Sequence, residues 1–185
     1  VNNAQILISD SNKDDDFVIR MKKLYLYQGD SEVVTIPAGV KEICQSAFQN
    51  NRNITEIVLN DELKSIGSYA FDGCTSLTSV TFNKNLESIS SNAFRNCKGL
   101  STLEFNSNLK TIDGGAFAGC LGITTVTFND NLEMIGGSAF YGCTSLTGDL
   151  LIPASVKTIG NYAFNGCTGI NGKVTIEGNE NGTTI

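Results

Sequence analysis

Five of the six cysteines in this 185-residue chain recur at one spacing: Cys74, Cys97, Cys120 and Cys143 are 23 residues apart, and Cys167 follows after 24. Thiols in that number raise three chemistries: a disulfide framework, a zinc site and a reactive thiolate. A thiol at every repeat period forms one column. Adjacent strands lie about 4.8 Å apart, inside the roughly 4.4–6.8 Å Cα window of a disulfide. Side chains of one column, however, point the same way rather than at each other, and the column holds an odd number. Ligands in a line do not make the tetrahedron that zinc requires. A row of small buried thiols is the favoured reading, with a disulfide pair as the alternative. Cys44 lies outside the column and is the candidate reactive thiol, against the simpler reading of a passive one.

Asp10-Ser11-Asn12-Lys13-Asp14-Asp15-Asp16 begins like a calcium loop. The pattern then needs Gly at its sixth position and Glu at its twelfth, where this chain has Asp15 and Met21. A solvated acidic turn is the default. The chain has no His, which removes the commonest general base and metal ligand and excludes Ser-His and Cys-His pairs. Paired carboxylates can work without His, but the acidic residues fall in variable, solvent-facing slots. No catalytic residue, cofactor or metal site is assigned. With 13 Lys+Arg against 19 Asp+Glu, the chain lacks the basic patch that nucleic acid or an anionic membrane needs. No apolar run approaches the roughly 18 residues that span a bilayer. Val1-Asn2-Asn3-Ala4-Gln5 does not read as a signal peptide, so a location outside the cell is expected only after removal of a signal not present in this chain.

The elements that carry these residues follow from the repeat. Ala-Phe occurs at Ala47-Phe48, Ala70-Phe71, Ala93-Phe94, Ala116-Phe117, Ala139-Phe140 and Ala163-Phe164, in steps of 23 residues and a last step of 24. The extra residue is placed in Gly148-Asp149-Leu150. Ile43, Ile66, Ile89, Ile112, Ile135 and Ile159 precede each Ala by four, and nine of the ten Phe residues fall in repeat columns. The unit reads L-x-x-V-x-F-x-x-N-L-x-x-I-x-x-x-A-F-x-x-C-x-x. Leu77-Thr78-Ser79-Val80-Thr81-Phe82 alternates as a short half-buried strand, with Val80 and Phe82 inward and Ser79 and Thr81 outward. Gly67-Ser68-Tyr69-Ala70-Phe71 suits a turn and one short helical turn, too short for a stable helix alone. One unit cannot bury its own apolar side. Stacked units can, each buried Leu, Ile or Phe contributing roughly 1.5–3 kcal/mol.

The unit resembles leucine-rich repeats, and Ile159-Gly160-Asn161-Tyr162-Ala163-Phe164-Asn165-Gly166-Cys167 with Leu151-Ile152-Pro153-Ala154-Ser155-Val156 is similar to the BspA-like subfamily. The resemblance covers residues 31–176. It implies a leucine-rich-repeat solenoid and a secreted or cell-surface protein, mostly of host-associated anaerobic bacteria, acting as an adhesin toward host matrix proteins or other cells. It brings no catalytic residues, and its variable ligand contacts transfer none. Asn51 stands where the repeat has Cys, and Cys44, Ser90 and Asp113 where the family has Gly after Ile.

The expected organisation is a cap over 1–30 containing a small β-hairpin, about six 23-residue repeats over 31–176, and an end cap or truncated repeat over 177–185. Asn60, Asn83, Asn106 and Asn129, with Asn85, Asn108 and Asn131, form columns where the chain leaves the strand. Satisfying backbone groups there is favoured over a ligand role. The strands are expected to align into one parallel concave sheet, the usual binding face of solenoids. Its outward positions are Val33, Glu56, Ser79, Thr102, Thr125, Asp149 and Lys173 in one column, and Thr35, Val58, Thr81, Glu104, Thr127, Leu151 and Thr175 in the other. Protein binding there is the leading function, a structural spacer the alternative. Carbohydrate binding is disfavoured because the chain has no Trp and no Tyr aligned outward on the strands to stack on a sugar.

Overall fold

The structure, a computed structural model, describes residues 16–178. Residues 10–15 of the acidic segment and the expected end beyond Gly178 lie outside the described residues. Fifteen strands occur in chain order: β1 (Phe17–Arg20), β2 (Lys23–Tyr27), β3 (Val33–Thr35), β4 (Glu42–Ile43), β5 (Glu56–Val58), β6 (Ser65–Ile66), β7 (Ser79–Thr81), β8 (Ser88–Ile89), β9 (Thr102–Glu104), β10 (Thr111–Ile112), β11 (Thr125–Thr127), β12 (Met134–Ile135), β13 (Leu150–Ile152), β14 (Thr158–Ile159) and β15 (Val174–Ile176). Each turn of the solenoid contributes one three-residue and one two-residue strand, and both kinds pair in parallel with their counterparts on neighbouring turns.

The two-residue strands build the longest sheet, β1-β2-β4-β6-β8-β10-β12-β14. Its first two strands are the expected hairpin. Met21 and Lys22 both adopt positive φ at its tip, the two-residue turn whose twist matches antiparallel strands. Leu24 of β2 registers with Ile43, and the Tyr27 N–H donates to the Ala47 carbonyl at 2.9 Å. The hairpin therefore forms a rung of its own, with Tyr27 in the Phe column.

That column is the spine of the core. Phe17, Tyr27, Phe48, Phe71, Phe94, Phe117, Phe140 and Phe164 stack with ring centroids 4.7 to 5.3 Å apart. From Phe71 to Phe164 the rings are within about 10° of parallel. The backbone sets this spacing: the Phe71 N–H donates to the Ala93 carbonyl at 2.7 Å and the Phe94 N–H to the Ala116 carbonyl at 2.8 Å. The Ile, Leu and Ala columns close around the rings and are fully buried over the central turns.

The stretch expected to hold a short helical turn is instead a run of turns, and no helix occurs among the described residues. Two residues in each turn of the solenoid, four apart, take left-handed backbone. One column is Ser46, Tyr69, Asn92, Gly115, Ser138 and Tyr162; the other is Asn50, Gly73, Asn96, Gly119, Gly142 and Gly166. A left-handed residue breaks the i→i+4 ladder and turns its N–H toward the next rung, as Tyr69 does to the Ser91 carbonyl and Gly73 to the Arg95 carbonyl. The residues between them close local turns, Ala70 N–H to Gly67 carbonyl and Asp72 N–H to Tyr69 carbonyl. The glycine after the repeat Ile has a separate cause. A Cβ on Gly160 would lie 2.2 Å from the Gly137 nitrogen of the rung before.

The three-residue strands pair in three runs, β3-β5-β7, β9-β11 and β13-β15, rather than as one continuous sheet. The break between β11 and β13 falls on the longer step, where Gly148 has φ 76° and the added residue shifts the chain. At the break between β7 and β9, the buried Asn106 amide nitrogen has no partner, whereas its counterpart Asn83 donates to the Asn60 and Leu63 carbonyls.

Phe94→Ala is expected to lower unfolding free energy by about 3–5 kcal/mol, the range for a fully buried Phe, and half-buried Phe164→Ala by clearly less. Urea unfolding checks this; equal losses would contradict a ladder whose middle is better packed than its last described rung.

Candidate functional site

The outward strand positions lie in register. Val33 pairs with Glu56 and Glu56 with Ser79, Thr102 with Thr125, and Leu151 with Thr175. Val33, Thr35, Ser79, Thr81, Thr102, Glu104, Thr125, Thr127, Asp149, Leu151 and Lys173 are exposed, while Glu56, Val58 and Thr175 are half-buried. Val33 and Leu151 are large apolar side chains more than half exposed, at 55% and 53%. The inward partners Val34, Ile57, Leu103 and Ile152 are buried. This split is what a three-residue strand with one buried face produces.

The electrostatics of this face differ from those beside the long sheet. Lys64, Glu87, Lys110, Glu133 and Lys157 succeed one another at the repeat spacing with alternating sign. Lys64 pairs with Glu87, and Lys157 with Glu133 at 2.7 Å. The hydrogen bond from each lysine holds Glu87 and Glu133 below the usual carboxylate range, and Lys110 lowers both further. Lys23 and Glu42 make a similar pair at 2.6 Å. Among the described residues, Glu56 and Glu104 of the strand face have no such ion pair. Asp149 accepts the Lys173 backbone N–H at 2.7 Å.

The other candidate columns are engaged in stacking. Each column thiol donates to the Phe carbonyl of the preceding rung: Cys74 to Phe48, Cys97 to Phe71, Cys120 to Phe94, Cys143 to Phe117 and Cys167 to Phe140, at 3.0 to 3.3 Å. All six cysteines are free. Burial pushes Cys74 and Cys120 up to about 12 and Cys97 well above the ordinary thiol value. The neighbouring Cys167 thiol and burial both raise Cys143. Asn85, Asn108 and Asn131 donate to the Asp61, Lys84 and Ser107 carbonyls one rung back, at 2.6 to 2.7 Å. No group of three or more metal-ligating side chains occurs among the described residues, and no described helix is long and apolar enough to cross a membrane.

Exposed Tyr25, Tyr141 and Tyr162 lie off the three-residue strands. Two hollows sit against the last described rung, lined by Val156, Lys157, Ile159, Tyr162 and Ile176 and by Leu150, Phe164, Ile170 and Val174, and neither is lined by a carboxylate or a thiol. Sequence reasoning missed the alternating Lys–Glu column, although its sign change was readable at the repeat spacing.

The buried thiols stay protonated in the fold and ionise more readily once unfolded. Their stability contribution is therefore complete below pH 9 and is lost as pH rises from about 9 toward 12. An alkaline series of urea midpoints checks the fall; a flat profile over that window would contradict it. In a thiol-reagent assay near pH ~8, half-buried Cys44 is expected to react first and Cys74, Cys97 and Cys120 only on unfolding.

In comparisons with known proteins, the BspA-type leucine-rich-repeat region matches residues 22–147 and 148–185 in six copies. No curated protein matches. A leucine-rich-repeat protein of T. pallidum is 27% identical and superposes with a TM-score of 0.57 over 80% of this chain and 60% of its own. A leucine-rich cell surface protein from Faecalibacterium prausnitzii A2-165 is 28% identical, with a TM-score of 0.64 over 91% of this chain and 55% of its own. The pneumococcal vaccine antigen PcpA, 20% identical, shares the fold with a TM-score of 0.64 over 84% of this chain and 44% of its own. The chain thus spans less than two thirds of each relative's length. A stacked Phe spine, a Cys column bonded to it and six matched repeat copies converge on one conclusion: the chain belongs to the BspA-type leucine-rich-repeat family.

Proposed function

We propose that this chain is a non-catalytic binding module of a secreted or cell-surface protein, and that it takes a protein partner on the outward face of its three-residue strands. The partner class is a host matrix protein or another cell-surface protein, and the role is adhesion. One observation carries the reading: most outward strand side chains are exposed, they are in register where the strands pair, and they differ on each rung, whereas the Cys, Asn and Phe columns are engaged in rung-to-rung contacts. The F. prausnitzii relative, described as a cell surface protein, supports the location. The division into a cap at 1–30, repeats over 31–176 and an end at 177–185 belongs to the same proposal. A spacer within a larger surface protein is the second reading, favoured by the partial coverage of the relatives.

The test is a screen of the chain against immobilised matrix proteins, with Ser79→Trp/Thr125→Trp as a variant that blocks the face without touching an inward column. Binding by the parent chain and at least a tenfold loss in the variant, about 1.4 kcal/mol, is the expected result. Binding that the variant retains in full would place the contact elsewhere, and absence of any binding would favour the spacer.

A further inference from the structure

The strand face and the flank beside the long sheet treat charge in opposite ways. On the flank, carboxylates stand beside lysines of the neighbouring rungs and are neutralised within the molecule, as Glu87 is by Lys64 and Glu133 by Lys157. On the strand face, from β3 to β13, the outward positions carry Glu56, Glu104 and Asp149 and no Lys or Arg; Lys173 comes only just before β15. Glu56 and Glu104 have no ion pair among the described residues; Glu104 is exposed and Glu56 half-buried. The other outward residues are hydroxyls or aliphatics, and Val33 and Leu151 are more than half exposed near opposite ends. The face is therefore acidic, uncompensated and partly apolar.

Its dimensions narrow the choice of occupant. Five rung steps of about 4.8 Å make it roughly 24 Å long, and three strand residues make it about 10 Å wide. A narrow strip suits an elongated segment better than a broad globular surface. Its carboxylates sit on alternate rungs, β5, β9 and beside β13, so neighbouring charges lie roughly 10 Å or more apart. Spaced in that way they match charges distributed along a chain rather than one multivalent ion.

Resting on the reading of this face as a protein site, we infer that its partner is a basic, elongated polypeptide segment whose Lys or Arg side chains complement Glu56 and Glu104 while small apolar side chains cover Val33 and Leu151. Charge complementarity of this kind sets which partner is accepted and how fast it arrives, and it weakens with salt because the charges are exposed.

The test measures binding of a synthetic peptide of alternating Lys and Thr to the full chain by fluorescence anisotropy, beside the same peptide with Glu for Lys. Three double variants are compared: Glu56→Gln/Glu104→Gln on the face, Glu87→Gln/Glu133→Gln on the flank, which removes the same charge, and the blocking pair Ser79→Trp/Thr125→Trp. Circular dichroism and urea midpoints establish that each is folded. The expected result is binding of the Lys peptide alone, a loss of about tenfold for the face pair, in keeping with two exposed charge contacts, and less than about twofold for the flank pair. Equal losses in the face and flank pairs would reduce the effect to net charge and overturn the inference, as would failure of the Lys peptide to bind. If the blocking pair abolishes binding while Glu56→Gln/Glu104→Gln leaves it unchanged, the face remains a binding site and the basic partner is wrong. If the blocking pair has no effect, the underlying reading of the face falls with it.

Discussion

The structure depends on a backbone hydrogen bond that reaches one repeat forward. When the N–H of Phe71 meets the carbonyl of Ala93 and that of Phe94 meets Ala116, each turn is fixed at one strand spacing above the last, and the Phe rings have no choice but to stack at 4.7 to 5.3 Å. The bond is available because the residues two before Phe and two after it are left-handed, which frees the N–H groups of this stretch from a helix and directs them along the stack. Every column follows from that geometry. Ala precedes Phe where its Cβ is buried, and at Gly67, Gly136 and Gly160 the backbone of the rung before comes too close for a Cβ.

A column has a double reading in any repeat protein, because identical residues at identical spacing look like a site when one copy is viewed alone. Here the stack decides between the readings. The thiol of each column Cys is directed at a Phe carbonyl one rung back, which suits a weak donor inside a core and leaves no free thiolate in the middle of the column. The Asn amides of the second column take carbonyls of the rung before at the surface, and Asn83 and Asn129 of the first column take the Leu63 and Leu109 carbonyls in the interior, work that any buried backbone group requires of something. What stacking does not consume is the outward side of the three-residue strands and the polar flanks.

Much of this was legible in the sequence. The Ile, Ala-Phe, Cys and Leu columns were readable because burial repeats at 23 residues, and the hairpin was readable from the alternation in Leu24-Tyr25-Leu26-Tyr27. Three features were not. The left-handed columns are a backbone property masked by Ser46, Tyr69 and Tyr162, residue types that do not announce it, although the second column of Asn and Gly did carry the signal. The long sheet is made of two-residue strands such as Ser65–Ile66, too short to show an alternation of their own. The breaks in the strand face fall at the longer step and beside one unpaired Asn amide, local features that a periodic pattern averages away. On the candidate face, sequence listed the outward residues, but only the three-dimensional placement of the Lys–Glu column showed that the face differs from the flank in having its carboxylates unpaired.

On the proposed reading, the chain divides into positions that hold the stack and positions left free to bind. A saturation scan of single substitutions, read as folded yield by protease resistance, tests that division most directly. It predicts that the Ile, Ala, Phe and Cys columns of the central turns reject most replacements, while Ser79, Thr81, Thr102, Glu104, Thr125 and Thr127 accept most polar ones without loss of folded protein. Outward strand positions as intolerant as the inward columns would contradict it, because that face would then be part of the scaffold rather than the surface it presents.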